Sequence, residues 1–276
     1  MVNEIMSAVR ISQRESDELC ERCGKPLNYG QLWKPGSDKP TEIRLGCDCE
    51  SREEAERKSR EIAEGRRIIR RSMLKASGML ARQQSQTFAG FTPTQKQKAA
   101  YDAARSFAAE KGGGLVICGG VGSGKTHLAA AIANEVIERY GIDDEWALDA
   151  AKESKTGGYI GGFSPVYFTS STELMSSLRE AMKNGEPSAA MRRCKNADVL
   201  ILDDLGAEKP SEWTVERIFE IIDHRYSSCR PTVITTNCTV DELKRQIGAR
   251  SYDRIKETCR YVTITESSRR AGSACL

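Results

Sequence analysis

Short apolar runs alternate with longer amphipathic stretches through the C-terminal two thirds of this chain. Leu115–Cys118, Val166–Thr169, Val199–Leu202 and Pro231–Thr236 are strand-length and nearly continuous in apolar or β-branched residues, which predicts strands buried in a parallel sheet. Between and before them, Thr94–Glu110, Thr126–Tyr140 and Ser171–Met182 carry apolar residues at helical spacing. Alternation of strand and helix predicts an α/β fold, a parallel sheet flanked by helices. A polar, glycine-containing insertion, Gly141–Ser164, reads as a surface loop.

The N-terminal third has a different texture. Glu50–Arg82 is dense in mixed charge and helix formers with few breakers, which predicts one long exposed helix or two. Upstream, Pro- and Gly-containing loops over Lys34–Pro40 lead into a short strand, Thr41–Leu45. Phe88, Phe91 and Pro93 mark a boundary before the α/β region. The expected organisation is a small module over 1–50, a charged helical linker over 51–86 and an α/β domain over 87–276.

Chemistry enters where the first of those strands ends. Leu115–Thr126 reads LVICGGVGSGKT, an apolar run closing in Gly-x-x-x-x-Gly-Lys-Thr. Glycines at 119, 120, 122 and 124 can adopt positive φ and turn backbone N–H groups inward, a concave ring of donors suited to a polyphosphate. Gly119, Gly120, Val121, Gly122, Ser123, Gly124, Lys125, Thr126 and His127 are the expected nucleotide contacts. Lys125 would reach the β- and γ-phosphates and Thr126 would take a place on magnesium (Mg2+), while the helix that follows points its positive end at the anion.

The run ADVLILDDLG, Ala197–Gly206, delivers two carboxylates at the C-terminal end of a buried strand, where ligands of open α/β sheets bind. Asp203 is placed to hold the Thr126-bound magnesium through its water shell, and Asp204 to orient or deprotonate an attacking water. A third strand ends in Asn237, a candidate to fix that water against the γ-phosphate. Lys125, Asp203, Asp204 and Asn237 together describe phosphoanhydride hydrolysis of a nucleoside triphosphate. His127 and His224 are the only histidines, and as side chains both read as structural.

Ten cysteines divide into a cluster and six scattered residues. Cys20-x-x-Cys23-Gly24-Lys25 has the shape of a zinc knuckle, and the chain returns to Cys47-Asp48-Cys49. Four thiolates would close a tetrahedral structural site for zinc (Zn2+) with no open position for catalysis, and so small a segment has little core to fold on otherwise. No apolar run approaches the ~20 residues of a membrane span, and the N-terminus lacks the apolar core of a secretion signal, so a cytoplasmic protein is expected. A net charge of +3 excludes a protein-wide basic field, so nucleic-acid contact would rest on local patches.

The segments GGVGSGKTHLAAAIAN, ADVLILDDLGAE and PTVITTN, with Trp213 and Arg225-Tyr226, resemble the DnaC/DnaI/IstB group of AAA+ ATPases over about Phe88–Arg270. The resemblance implies that Arg254, in Tyr252-Asp253-Arg254-Ile255, is the arginine finger given to a neighbouring subunit, with Arg250 one helical turn away as the alternative. It implies that Arg269, in Ser267-Ser268-Arg269, is the sensor-2 residue, with Arg270 close behind. Asp204 departs from the glutamate of many AAA+ proteins by one methylene, which implies slow or partner-stimulated hydrolysis.

Within that group a cysteine-rich N-terminal module resembles those of helicase loaders. The expected function is ATP-dependent loading of the replicative helicase hexamer onto single-stranded DNA in DNA replication, ATP being hydrolysed between subunits of a ring- or spiral-like oligomer. The alternative is an IstB-like transposition ATPase that assembles on DNA and recruits a transposase. A small-molecule P-loop kinase and a module that holds ATP without turnover are the readings from other classes.

Overall fold

Each apolar run of the C-terminal region forms a strand of one parallel sheet. The computed structural model describes residues 14–21, 23–32, 39, 41–46, 48–110, 112–156, 163–185, 188–208 and 210–265. Contacts divide the chain into two compact units, 1–66 with 144–152 and 67–143 with 153–276.

In the first unit, β1 (Arg14–Leu19), β2 (Pro26–Leu32) and β3 (Thr41–Gly46) form an antiparallel sheet in that order. Only β3 was expected from sequence, because β1 and β2 carry charged and polar residues with little apolar alternation. A long helix, α1 (Asp48–Ala76), follows. Its early turns are exposed and carry the ion pairs Arg52–Glu56 and Arg57–Glu54.

The insertion expected as a loop contains a helix, α5 (Asp144–Thr156), with acidic residues in its first turn and Lys155 in its last, as the helix dipole favours. Ala147 is fully buried, and a Cβ on Gly65 of α1 would lie 1.8 Å from the Ala147 carbonyl oxygen. Only glycine permits that approach. Arg66 and Asp144 close the same crossing with an ion pair of 2.7 Å.

The second unit begins inside α1. Ile69 and Met73, one turn apart on the same helix face, are each 1% exposed. The compact-unit boundary falls at 66/67, within the stretch 51–86 that the sequence reads as a charged helical linker. Charge density hid this apolar stripe. After α2 (Ala81–Gln84) and α3 (Lys98–Glu110) come β4 (Gly114–Gly119), α4 (Lys125–Glu138), β5 (Val166–Ser170), α6 (Ser171–Lys183) and α7 (Ala189–Asn196). Then follow β6 (Val199–Asp203), α8 (Glu212–Ser227), β7 (Thr232–Thr236), α9 (Val240–Ile247), α10 (Ala249–Thr258) and β8 (Cys259–Ile264).

The sheet order is β5-β6-β7-β4-β8 with every pairing parallel. Strand and helix alternate because parallel neighbours need a crossover. The free edge of β5 is covered by the chain leaving α1, with the Phe168 N–H donating to the Ser77 carbonyl at 2.8 Å. At the N-terminal ends of the strands, Arg225 is 1% exposed and its guanidinium donates to the carbonyls of Cys194, Ala197 and Pro231 and to the Thr232 hydroxyl. Burial pulls its pKa down to about 10. It is an internal strut, remote from the strand ends that carry the site. Among the described residues, no helix is long and apolar enough to cross a membrane.

Candidate nucleotide-binding site

β4, β6 and β7 are neighbours in the sheet, and their C-terminal ends deliver the predicted residues to one place. Between β4 and α4 the loop turns at Gly122 (φ 77°) and Gly124 (φ 100°), the left-handed region that glycine alone enters freely. Gly120, expected to share this conformation, is not among the positive-φ residues; its role is to offer a carbonyl. Gly124 is also close-packed, since a Cβ there would lie 2.9 Å from the Phe91 ring.

Lys125 is 6% exposed, and its ammonium donates to the Gly120 carbonyl and to Asn237 Oδ1, each at 2.8 Å. Asn237 in turn donates through Nδ2 to Asp204 Oδ1. These contacts join Lys125, Asn237 and Asp204 in one polar chain across the strand ends.

The Thr126 hydroxyl lies 3.0 and 3.1 Å from the two carboxylate oxygens of Asp203. Hydroxyl and carboxylate oxygens converging from a helix start and a strand end are a donor set that fits magnesium. Burial raises the pKa of Asp203; hydrogen bonds from Thr235 and Thr126 oppose that shift, Asp204 adds to it, and Lys125 opposes it. Asp204 is held in a left-handed conformation, φ 56°, which is uncommon for a side-chain-bearing residue. Its N–H donates to Thr235 Oγ1 at 2.8 Å and its carbonyl accepts from Ser171 Oγ at 2.8 Å. Two strands and a helix start therefore pin the backbone that aims this carboxylate.

Thr235 and Ser171 were missed by sequence reading. A signal for Thr235 was present: β6 and β7 run parallel with Leu202 level with Ile234, which puts Asp203 level with Thr235. That register is invisible without the sheet order. His127 follows the cradle at the start of α4, and its ring contacts lie with the segment before α3. Its Nε2 lies 3.0 Å from the Thr87 carbonyl oxygen and its ring meets Phe91 edge-on, so its side chain braces the preceding segment. Val121 stands exposed at the loop tip.

Arg254, on α10, makes its contacts with α8. Its Nη1 is 2.6 Å from Asp223 Oδ1, and its guanidinium lies over the rings of Phe219 and Tyr226. None of these partners belongs to the phosphate cradle. Arg250 is exposed on the same helix. Arg269 lies outside the described residues, as does Cys47.

In the other unit, the Sγ atoms of Cys20, Cys23 and Cys49 lie within 4.8 Å of one another, with Cys20 and Cys49 at 3.5 Å. The Cys20 N–H donates to the Lys25 carbonyl and the Gly24 N–H to the Cys20 carbonyl, so the turn after Cys20 is a closed knuckle. Three converging soft sulfur donors fit zinc.

Two family descriptions match the chain: bacterial DnaA ATPase domain over residues 82–143, and IstB-like ATP binding protein over residues 158–274. The replicative helicase loader DnaC of Escherichia coli (strain K12) is 29% identical over 165 residues, 58% of each chain. The replicative helicase loader DnaI of Bacillus subtilis (strain 168) is 30% identical over 135 residues, 49% of this chain and 36% of that one. A crystal structure of the DnaC helicase loader superposes with a TM-score of 0.55 at 28% identity, covering 67% of this chain and all of that one.

This chain carries a DnaC/DnaI-like AAA+ ATPase domain. The DnaA-type match contains the phosphate cradle of this AAA+ domain, and the IstB-type match contains Asp203, Asp204, Asn237 and Arg254. The three-stranded sheet and the cysteine cluster lie outside both matches. The chain spans 58% of the length of the curated relative DnaC and 36% of that of DnaI.

Proposed function

We propose that this protein is an ATP-dependent loader of a replicative DNA helicase. The observation that carries the reading is the Lys125–Asn237–Asp204 chain beside the Thr126–Asp203 pair, set in a domain similar to those of DnaC and DnaI.

ATP would lay its phosphates on the loop between Gly119 and Lys125, with the α4 N-terminus adding favourable dipole. Its γ-phosphate competes with Asn237 for the Lys125 ammonium, which releases the Asn237 amide toward the attacking water. Asp204 accepts that water's proton as the oxygen joins the γ-phosphorus and the bond to the β–γ bridging oxygen breaks, leaving ADP and phosphate. Thr126 and Asp203 would hold magnesium, which would supply charge neutralisation to the triphosphate. Arg254 serves the site of a neighbouring subunit, which requires it to leave its Asp223 partner, and Arg269 acts as sensor 2. Hydrolysis thereby depends on self-association.

Cys20, Cys23, Cys47 and Cys49 bind zinc, and the module they fold together with α1 grips the helicase. The AAA+ domain engages single-stranded DNA, mainly through phosphates and therefore in a salt-sensitive way. The setting is the cytoplasm.

The test is ATP turnover by the full chain, with single-stranded DNA and the host's replicative helicase added. Lys125→Ala is expected to abolish turnover, and Arg254→Ala to abolish it alone yet regain it when mixed with Lys125→Ala, because each supplies what the other lacks. An Arg254→Ala protein that turns over normally in the assembled state overturns the finger assignment. The IstB-type match over 158–274 supports a second reading, a transposition ATPase. Capture of a transposase by the full chain, with no binding to the replicative helicase, would favour it.

A further inference from the structure

We propose that Gln97 is a positioning residue for the phosphate cradle, acting through the carbonyl of Ser123. The proposal rests on the nucleotide-site reading above. Gln97 is fully buried ahead of α3, 26 residues before the residue it touches. Its Nε2 donates to the Ser123 carbonyl at 2.8 Å, and its Oε1 accepts from the Thr94 N–H at 3.0 Å.

Those two contacts fix the amide. The Thr94 N–H demands an acceptor, so the oxygen of the side chain faces Thr94 and the NH2 group faces Ser123; a flipped amide would set donor against donor and acceptor against acceptor. Main-chain bonds hold Gln97 itself, since its N–H donates to the Thr94 carbonyl at 3.0 Å and its carbonyl accepts from the Tyr101 N–H at 2.9 Å.

The consequence for the loop follows from the planarity of the peptide. In a trans peptide unit the C=O of one residue and the N–H of the next point in opposite directions. Holding the Ser123 carbonyl toward Gln97 therefore turns the Gly124 N–H the other way. That N–H lies immediately before Lys125, in the part of the loop that must present donors to a polyphosphate. The peptide is confined from a second side, because the Phe91 ring lies against Gly124 closely enough that a Cβ there would sit 2.9 Å from it. Gly124 is left-handed, where a peptide rotation meets little steric resistance of its own. Gln97 and Phe91 supply from outside the restraint that the glycine lacks.

The experiment is equilibrium binding of a fluorescent ADP with magnesium to the full chain and to Lys125→Ala, Gln97→Met and Gln97→Glu, with thermal midpoints recorded without nucleotide. Met keeps the shape and removes both polar contacts; Glu keeps the acceptor for Thr94 but sets oxygen against the Ser123 carbonyl oxygen. Gln97→Glu is expected to weaken binding about tenfold or more and Gln97→Met by about several-fold, as expected for a buried polar group losing its partner. Met73→Ala, a buried change in α1 away from the loop, calibrates how far lost stability alone moves the affinity.

Affinities of both Gln97 variants within twofold of the parent, with only the thermal midpoint lowered, would reduce Gln97 to a core residue and overturn the proposal. So would a loss of affinity no greater than that of an equally destabilised Met73→Ala. A parent chain that binds no ADP would overturn the nucleotide-site reading itself, a result distinct from parent and Gln97 variants binding alike.

Discussion

Thr235 donates its hydroxyl proton to Asp203 across 2.6 Å, from the strand next to the one that carries the carboxylate. The same oxygen accepts the Asp204 N–H, so one fully buried side chain sets the positions of both acidic residues. Thr235→Val keeps the shape and leaves the Asp204 N–H without its acceptor. The expected cost is about 1–3 kcal/mol, the range for a buried polar group that loses its partner. ATP turnover is expected to fall at least about tenfold, because both aspartates lose their aim. Thr235→Ser is expected to restore most of it. Thermal melts and steady-state turnover on the same preparations check both.

Asp203 gives a pH-dependent prediction. Its pKa is raised, chiefly by burial, so the folded chain holds that proton more tightly than the unfolded chain does. Stability then falls as pH rises from the ordinary aspartate range through the raised folded value, and stays reduced above it. Asp203→Asn removes this penalty. Without nucleotide or magnesium, the variant is expected to melt higher than the parent at neutral pH, with the gain shrinking as the pH is lowered. Each kcal/mol relieved corresponds to about 2–4 °C in a protein of this size class. The same variant is expected to lose magnesium-dependent nucleotide binding.

The cysteine cluster makes a prediction independent of the nucleotide site. Protein prepared without chelator is expected to release zinc in a one-to-one ratio to chain when its thiols are modified, measured with a metal-sensitive dye. Cys20→Ser or Cys49→Ser is expected to abolish that release. A module this small would depend on a bound zinc for folding, so chelation is expected to expose Pro26–Leu32 and Thr41–Gly46 to protease while ADP binding by the AAA+ domain persists.

Gly65→Ala sets helix propensity against packing. In an exposed helix interior, alanine would gain about 1 kcal/mol over glycine. Here a Cβ would lie 1.8 Å from the backbone oxygen of Ala147, which no side-chain adjustment relieves. The expected result is a net loss of stability, with faster proteolysis within Asp144–Thr156 as α5 parts from α1. Stability equal to or above that of the parent would mean that the crossing is looser than the structure places it.

The strands β4 to β7, their order in the chain and the residues of the cradle were legible in the sequence because each rests on local chemistry. A strand-length, β-branched apolar run bounded by turn residues reads as a buried strand, and Gly119–Thr126 dictates its own turn through glycine and a lysine at fixed spacing. Asp203, Asp204 and Asn237 sit at strand ends or immediately after them, and Lys125 and Thr126 open the helix that follows the β4 loop, so knowing that the sheet is parallel suffices to collect them at one edge. The Cys20-x-x-Cys23 knuckle is local in the same way. The helix within Gly141–Ser164 was missed because its apolar face is made of alanines, which carry a weak periodic signal. The apolar stripe of α1 at Ile69 and Met73 was hidden among arginines.

What the sequence by itself determined was the α/β class, the phosphate cradle and the identity of the carboxylates, since those depend on residue type and short spacing. Only the tertiary structure decided which side chains support them. Thr235 reaches Asp203 through a strand register, Gln97 reaches Ser123 across 26 residues, and Gly65 meets Ala147 where two helices cross. Each of these contacts is set by how distant segments pack, and buried polar groups and bare glycine backbone acquire their partners only when that packing is complete.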